Sequence, residues 1–113
     1  MRILVMIVML TAVAGSAMAQ EGRLLYERYC VQCHGVEGTG KGINAPHMSV
    51  FPRDHTDRTE MMGRSDEELF RVIRNGGASI NQSVLMPAWS HNLDDDQIHV
   101  LVRYLRELCC EEP

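Results

Sequence analysis

The stretch Cys30-Val31-Gln32-Cys33-His34, a C-x-x-C-H motif, determines how the rest of this sequence is interpreted. Two cysteines three positions apart are compatible with three chemistries. They can bind a zinc ion, form a redox-active dithiol, or attach a haem covalently. The residues around the motif and the composition of the chain decide among these possibilities.

The C-x-x-C-H spacing is that of covalent c-type haem attachment. On one helical turn the two sulfurs reach the two vinyl groups of a porphyrin, so Cys30 and Cys33 are predicted to form thioethers. His34 follows directly and is predicted to lie under the iron, where a ring nitrogen serves as an axial ligand. The motif therefore predicts one covalently attached haem c, with its iron, per chain.

The two other chemistries fit the sequence less well. A structural zinc site needs four ligands, and the obvious candidates beyond the motif are distant histidines or Cys109 and Cys110. A thioredoxin-like C-x-x-C lies at the start of a helix after a buried strand, and no strand pattern precedes Cys30. An export signal also favours haem, because c-type attachment takes place outside the cytoplasm.

That export signal is visible at the N-terminus. Arg2 is followed by an apolar run at residues 3–10, and a stretch of small residues then ends in A-M-A. This order predicts a secretory signal peptide over residues 1–19, cleaved after Ala19. The remaining residues 20–113 are predicted to form one haem-binding domain in the periplasm.

The predicted mature domain is small and acidic. Removal of 19 of the 113 residues leaves 94, which is few for a core held by hydrophobic burial alone, so a staple or a cofactor is expected. Loss of Arg2 leaves ten basic residues against fifteen acidic ones, a formal charge of −5. Nucleic acid and anionic lipid are therefore poor partner candidates. The apolar run is shorter than the roughly 20 residues that span a bilayer, and retention as an uncleaved anchor is the alternative to cleavage. For a cleaved chain, membrane contact is expected only through a partner complex.

Three segments have helical patterns and none alternates as a strand does, so the sequence predicts an all-α fold. Residues 21–33 combine an apolar face with charged positions. A second helix is predicted from a capping box at Ser65 to Asn75, and a third begins at Asp94. The third buries an i, i+3, i+4, i+7 series, formed by Ile98, Leu101, Val102, Leu105 and Leu108.

Two loops are predicted to enclose the cofactor. Residues 35–52 are rich in Gly, Pro and Asn, and so long a loop is unusual in a small domain unless it wraps something. Met86 next to Pro87 is held in an irregular turn and is the favoured sixth ligand of the iron. The alternative for Met86 is a core position. Other candidate ligands remain open, namely Met48, Met61, Met62, His47, His55 and His91.

Together these residues resemble the small soluble class I cytochromes c of bacteria. The segments CVQCHG, NGG, MPAW and LDDDQIHVLVRYLREL occur in the family's order and extend over essentially the whole mature chain. The resemblance implies a cytochrome c fold of three to five helices with long loops around one haem. It also implies a non-enzymatic electron carrier with redox protein donors and acceptors, ligated by His34 and Met86.

The resemblance assigns roles to further residues. Gly22 and Tyr26 match the family's small and aromatic pair on the first helix, which crosses the last helix at Leu101 and Tyr104. Pro46 matches a proline whose carbonyl accepts a hydrogen bond from the ligand histidine, a contact that fixes the ring and strengthens the ligand.

Four other residues are less closely defined. Trp89 is expected to pack in the haem pocket rather than to relay electrons. Arg53 is a candidate partner for a haem propionate, and surface solvation is an equal alternative. Cys109 and Cys110 match no family feature. Because adjacent cysteines form only a strained disulfide with each other, they are expected to be exposed thiols or, alternatively, to link two chains in a disulfide-bonded dimer.

Two other functions remain open at this point. The first is a haem enzyme or gas sensor, in which the distal position of the iron is open. The second is an electron-transfer subunit of a larger oxidase or dehydrogenase complex, whose electron transfer is confined to that complex.

Overall fold

A computed structural model of the chain describes residues 2–111, with side chains described from residue 14 onward. It contains the helices α1 (Arg2–Tyr29), α2 (Val31–His34), α3 (Arg58–Met62), α4 (Asp66–Asn75) and α5 (Asp95–Cys110). Two short 3-10 turns, Ala45–His47 and Gly77–Ile80, lie in the connecting loops. Every regular element in residues 2–111 is helical, which confirms the predicted all-α fold.

Helix α1 is longer than the predicted first helix. It begins at Arg2 and continues through Ala19, so the backbone has no break at the predicted cleavage site, and cleavage stays a prediction. It ends at Tyr29, where a turn at Cys30 separates it from α2. The side chains of the apolar run at residues 3–10 lie outside the described part. Among the described residues, no helix is both long and apolar enough to cross a membrane.

Helices α4 and α5 begin at the predicted capping boxes. The Ser65 hydroxyl accepts a hydrogen bond from the Glu68 N–H at 3.1 Å, and the Glu68 carboxylate accepts one from the Ser65 N–H at 2.9 Å. Asp94 and Gln97 make the same pair of bonds at 2.8 Å and 3.0 Å. Each box satisfies backbone donors that the first turn of a helix leaves free.

The first and last helices cross as predicted. The rings of Tyr26 and Tyr104 lie 5.3 Å apart between their centroids, and Gly22 approaches the backbone of α5 closely. Leu101 is fully buried in the core, whereas Leu108, the last residue of the predicted apolar series, is only partly buried. The buried core consists of Tyr26, Met61, Leu69, Ile73, Leu93, Ile98, Leu101, Val102 and Leu105.

The sequence patterns do not predict α3. Asp57 caps it by accepting a hydrogen bond from the Glu60 N–H at 3.0 Å. The helix has only five residues, too few for a hydrophobic period to appear. It nevertheless delivers the fully buried Met61 to the core.

Candidate functional site

A cavity of about 630 Å³ lies among the five helices, and each helix contributes residues to its wall. Pockets for small molecules and cofactors commonly measure roughly 300–1,000 Å³. Cys30, Cys33, His34 and Met86 all line the cavity, so the structure brings together four of the five predicted cofactor-binding residues. The fifth, Pro46, is exposed and is not part of the wall.

The C-x-x-C-H motif forms a single helical turn. The carbonyl oxygen of Cys30 accepts a hydrogen bond from the His34 N–H at 2.9 Å. Both thiols, of Cys30 and Cys33, are free and partly buried. Burial, together with the nearby Cys33, raises the pKa of the Cys30 thiol to about 12. Both sulfurs at the cavity wall are therefore available to form thioether bonds.

The glycine-rich segment after the motif is fastened to it by backbone hydrogen bonds. Gly40 donates to the carbonyl oxygen of His34 at 2.8 Å, and Gly42 donates to that of Cys33 at 3.0 Å. A Cβ atom at Gly42 would lie 2.3 Å from the carbonyl oxygen of Gln32. A larger residue there would push the loop off the motif. The predicted loop of residues 35–52 thus begins by wrapping the motif.

The hydrogen bond expected between His34 and Pro46 is formed by another residue. His34 Nδ1 lies 2.9 Å from the carbonyl oxygen of Arg53, and because a carbonyl only accepts, Nδ1 carries the proton. The prediction for Pro46 is wrong because Pro46 lies in the exposed 3-10 turn Ala45–His47, and the loop returns to the histidine seven residues later. The bond leaves Nε2 as the nitrogen free to bind a metal.

A second histidine packs against the first. The ring of His55 lies parallel to that of His34, with centroids 4.1 Å apart and an angle of 19° between the planes. His55 Nδ1 lies 2.9 Å from the hydroxyl of Tyr26. The sequence indicates His55 only as an alternative candidate for the sixth ligand of the iron. Its ring stacks on the face of His34, so it does not lie across the cavity from that residue, and its contact with Tyr26 was not anticipated.

Burial favours the neutral forms of the three side chains in this cluster. It lowers the pKa of His34, although the hydrogen bond to Arg53 acts in the opposite direction. It also places the pKa of His55 well below the ordinary value, with smaller contributions from His34 and Arg53. Burial raises the pKa of Tyr26, so its phenol keeps its proton. Neutral imidazole is the form in which histidine binds metals.

The structure separates the candidates for a sixth ligand by position. Met48, Met61, Met86 and His55 line the cavity, and the ring of His55 stacks on that of His34. Met62, in contrast, has 59% of its surface exposed. The remaining alternatives also have exposed side chains away from the cavity wall, namely His47 and His91.

The loop that carries Met86 is fastened to the end of α4. Gly77 donates a hydrogen bond to the carbonyl oxygen of Met86 at 2.9 Å, and Trp89 donates to that of Ile73 at 2.9 Å. A Cβ atom at Gly77 would lie 2.2 Å from the carbonyl oxygen of Ser83. The N-G-G sequence at residues 75–77 therefore permits the backbone of the methionine loop to fold closely onto itself.

Aromatic and basic side chains complete the wall. Trp89 packs against Tyr29, with ring centroids 5.2 Å apart. Three arginines line the cavity, namely Arg28, Arg53 and Arg64. The guanidinium of Arg53 forms an ion pair with Glu60. The contact of Arg53 with His34 is made by its backbone carbonyl, a role that no side-chain pattern in a sequence reveals.

Cys109 and Cys110 form a disulfide with each other. The alternative of a dimer linked through either residue is not supported, because each sulfur is used within the chain. The expectation of two exposed thiols is also wrong, since both residues are partly buried against the core. Their positions at the end of α5 place them side by side, with Cα atoms 3.7 Å apart.

The donor set of the cavity fits a covalently bound haem. Two free thiols and one histidine with a free Nε2 lie on one turn, and the rest of the wall is mainly apolar. In the part of the chain that is described, no three His, Cys, Asp or Glu side chains group together as a site for a bare metal ion. The zinc alternative therefore gains no support from the structure.

Comparison with known sequences points to the same cofactor. The family described as Cytochrome C oxidase, cbb3-type, subunit III matches residues 17–105. The chain is 32% identical over 93 residues to a Cbb3-type cytochrome c oxidase subunit CcoP of Azospirillum brasilense, and 28% identical over 101 residues to one of Azospirillum sp. (strain B510). The matches cover 82% and 84% of this chain, but this chain spans only 29% and 30% of those relatives.

Solved structures confirm the fold. The KustC0563 c-type cytochrome has a TM-score of 0.63 at 24% identity, covering 78% of this chain and 96% of that protein. The Kuenenia stuttgartiensis reducing HAO-like protein complex Kustc0457/Kustc0458 has a TM-score of 0.64 at 28% identity, covering 82% of this chain and 45% of that one. The predicted cytochrome c fold is therefore confirmed. Because the family match extends over more than three quarters of its residues, the chain belongs to the family Cytochrome C oxidase, cbb3-type, subunit III, a c-type cytochrome domain whose cofactor is covalently bound haem c.

Proposed function

We propose that the chain is a monohaem c-type cytochrome that carries single electrons between redox proteins in the periplasm, without catalysing a reaction itself. In this proposal Cys30 and Cys33 would hold the haem through thioethers, and His34 and Met86 would bind its iron. The observation that carries this proposal is that all four side chains line one cavity.

The protein's part in electron transfer is to hold its ligands in place while the charge of the iron changes. The haem supplies the one-electron chemistry when it is bound. His34 is fixed through Nδ1 by the Arg53 carbonyl, and the backbone of Met86 is fixed by Gly77. Tyr29 and Trp89 pack against each other in the cavity wall.

The thioether assignment is tested by removing both sulfurs. A Cys30→Ala, Cys33→Ala double variant is expected to lose covalent haem, measured by haem staining after denaturing electrophoresis and by the pyridine haemochrome spectrum. A matched Cys109→Ser, Cys110→Ser double variant retains two cysteines at the motif and is expected to keep covalent haem. Normal covalent holoprotein from the first variant would overturn the proposal.

The sixth ligand is tested by comparing two methionines of the cavity. Met61 is fully buried among core side chains, and its carbonyl oxygen is held by Arg106 at 2.6 Å, which supports a packing role. Met86 lies on a loop and is only partly buried. Met86→Ala is expected to abolish the near-infrared band of methionine-ligated ferric haem, and Met61→Ala is expected to keep it. The reverse result would identify Met61 as the sixth ligand of the iron.

The same spectra test for an enzyme or gas sensor. With both axial positions filled, the ferrous wild-type protein is expected to bind carbon monoxide poorly, whereas Met86→Ala binds it readily. Ready binding by the wild type would favour an open distal site.

Export is tested on the purified holoprotein. We propose cleavage after Ala19, so intact mass spectrometry and N-terminal sequencing should give a chain that starts at Gln20 and carries one haem. A mature chain that retains residues 1–19 would contradict the proposed signal peptide.

The comparisons favour a second candidate, an electron-transfer subunit of a larger assembly. The two curated relatives are named as subunits of a cytochrome c oxidase, and one similar structure is that of a protein complex. Chemical cross-linking in intact cells followed by purification under native conditions separates the candidates. A free shuttle is recovered mainly as a monomer, and a subunit is recovered in constant ratio with other redox proteins.

A further inference from the structure

Tyr26 and His55 form a buried pair that lies directly against the ligand histidine. We propose that this pair is a positioning device for the axial imidazole. It sets the orientation of the His34 ring and the strength of the hydrogen bond from His34 to Arg53, and through them it tunes the redox equilibrium of the iron. The inference rests on the proposed ligation by His34.

The stacked contact limits rotation of the His34 ring. The two imidazoles are nearly parallel, 4.1 Å apart, and each histidine is only 9% exposed. In a close-packed interior, a ring held face to face with another cannot turn about its Cβ–Cγ bond without displacing its neighbour. The position of His55 therefore defines the plane of the His34 ring.

His55 is itself anchored from two directions. Its backbone N–H donates to the carbonyl oxygen of Gly38 at 2.6 Å, and its side chain bonds to the Tyr26 hydroxyl at 2.9 Å. Tyr26 is 1% exposed, and its carbonyl oxygen accepts a hydrogen bond from the Cys30 N–H at 2.9 Å. One residue of α1 thus connects the start of the haem motif to the ring that packs on His34.

The anchor also acts on the Arg53 carbonyl, which lies two residues before His55. A carbonyl that accepts a bond from Nδ1–H makes the imidazole a stronger donor to iron, which favours the ferric state. If the Tyr26 hydroxyl is removed, the segment that carries this carbonyl is held less firmly. The His34–Arg53 bond then weakens, and the equilibrium shifts toward the ferrous state.

Tyr26→Phe tests the proposal in the holoprotein, because it removes the hydroxyl and keeps the buried ring. Tyr104→Phe is the matched control, since its ring packs 5.3 Å from Tyr26 while the described partner of His55 is Tyr26. In a redox titration against a reference couple, Tyr26→Phe is expected to shift the equilibrium roughly threefold to tenfold toward the reduced form, less than removal of a ligand's partner outright. Tyr104→Phe is expected to match the wild type.

Haem methyl resonances in the proton NMR spectrum of the ferric protein provide a second readout, because their spread depends on the orientation of the axial imidazole. His55→Asn keeps a polar partner for Tyr26 but removes the stacked ring, so it is expected to change the methyl pattern. If Tyr26→Phe holoprotein cannot be isolated, the redox equilibrium and methyl pattern of His55→Asn test the proposal without it.

A purely structural role for the pair predicts a different result. Both variants would then unfold at lower temperature but keep the wild-type redox equilibrium and methyl pattern, and that outcome overturns the inference. If the proposed function itself were wrong, the result would differ from both of these outcomes. The spectra of the wild-type protein would then lack the signs of covalent haem or of histidine ligation.

Discussion

Gly22 and Tyr104 are in direct contact where α1 crosses α5. A Cβ atom at Gly22 would lie 2.8 Å from the Cβ atom of Tyr104 and 3.2 Å from the carbonyl oxygen of Val100. Carbon atoms in favourable contact are about 3.5–4.0 Å apart, so this approach requires a glycine. The contact holds α1, and with it Tyr26 and the haem motif at its end, against the last helix.

Substitution of Gly22 by alanine is expected to destabilise the holoprotein. The added methyl group must separate α1 from α5, and overpacking of this kind typically costs about 1–3 kcal/mol. The free energy of unfolding in guanidinium, followed by far-ultraviolet circular dichroism, measures the effect.

Gly63→Ala is the control for that measurement. Gly63 has helical backbone angles, and its nearest neighbours would lie 3.5 Å from an added Cβ atom. Its substitution is expected to change stability by no more than about 0.5 kcal/mol. Equal effects of the two substitutions would show that the α1–α5 approach is not tight.

Arg106 is expected to contribute strongly to stability because it joins three parts of the fold. Its guanidinium donates to the carbonyl oxygens of Met61 and Arg64, both at 2.6 Å, and to the carboxylate of Asp66 at 2.8 Å. Arg106→Gln loses most of these bonds, and a charge-assisted bond is worth about 1.5–3 kcal/mol. We expect a loss of about 2–3 kcal/mol, measured by denaturant unfolding.

Asp66→Asn separates the ion pair from the carbonyl bonds of Arg106. The Asp66 side chain is 72% exposed, and exposed ion pairs contribute about 0–1 kcal/mol. Its loss should therefore be clearly smaller than that of Arg106→Gln. If Asp66→Asn costs as much as Arg106→Gln, the ion pair rather than the two carbonyl bonds holds α5 to the end of α3.

Local sequence signals predicted the parts of the fold that depend on local physics. The capping boxes at Ser65 and Asp94 could be recognised because the capping residue and its partner are three positions apart. The buried face of α5 could be recognised because its apolar residues recur with the period of a helix. The haem motif could be recognised for the same reason, since Cys30, Cys33 and His34 lie on one turn. Met86 could be selected because it precedes a proline and so lies in an irregular turn, and it lines the cavity.

The long-range contacts could not be predicted in this way. Pro46 and Arg53 both follow the motif within one irregular loop, and which carbonyl reaches His34 depends on where that loop is anchored. The anchor is His55, held by Gly38 and Tyr26, which come from two other segments. No spacing in the sequence predicts that these segments come together. The resemblance to the family therefore predicted Pro46 as the acceptor of the His34 hydrogen bond, whereas the structure has Arg53 in that role.

The capping box of α4 is expected to make stability depend on pH in the acidic range. The hydrogen bond from the Ser65 backbone N–H is the main reason that the pKa of Glu68 lies below its ordinary value of 4.5. A lowered pKa in the folded state stabilises the protein above that ordinary value, and the contribution is lost as the pH falls through the folded-state pKa. Wild type and Glu68→Gln should therefore differ in stability at pH 6 and converge at low pH.

Glu67→Gln serves as the control for that pH series, because it removes a carboxylate from the same first turn without touching the box. Its difference from the wild type should be smaller at pH 6. Thermal unfolding of the three holoproteins at several pH values measures both differences. A gap between wild type and Glu68→Gln that persists unchanged at the lowest pH would contradict the role given to the carboxylate.

The pairing of Cys109 with Cys110 predicts a monomer without free thiols once haem is attached. The carbonyl oxygen of Cys110 accepts a hydrogen bond from Arg58 at 2.9 Å, and both cysteines pack partly against the core, so the end of α5 is held within its own chain. Alkylation of denatured, unreduced holoprotein should leave its mass unchanged, and alkylation after reduction should add two groups. Non-reducing electrophoresis should show one band at the monomer position. A dimer band that disappears on reduction and in the Cys109→Ser, Cys110→Ser variant would instead show that these sulfurs link two chains.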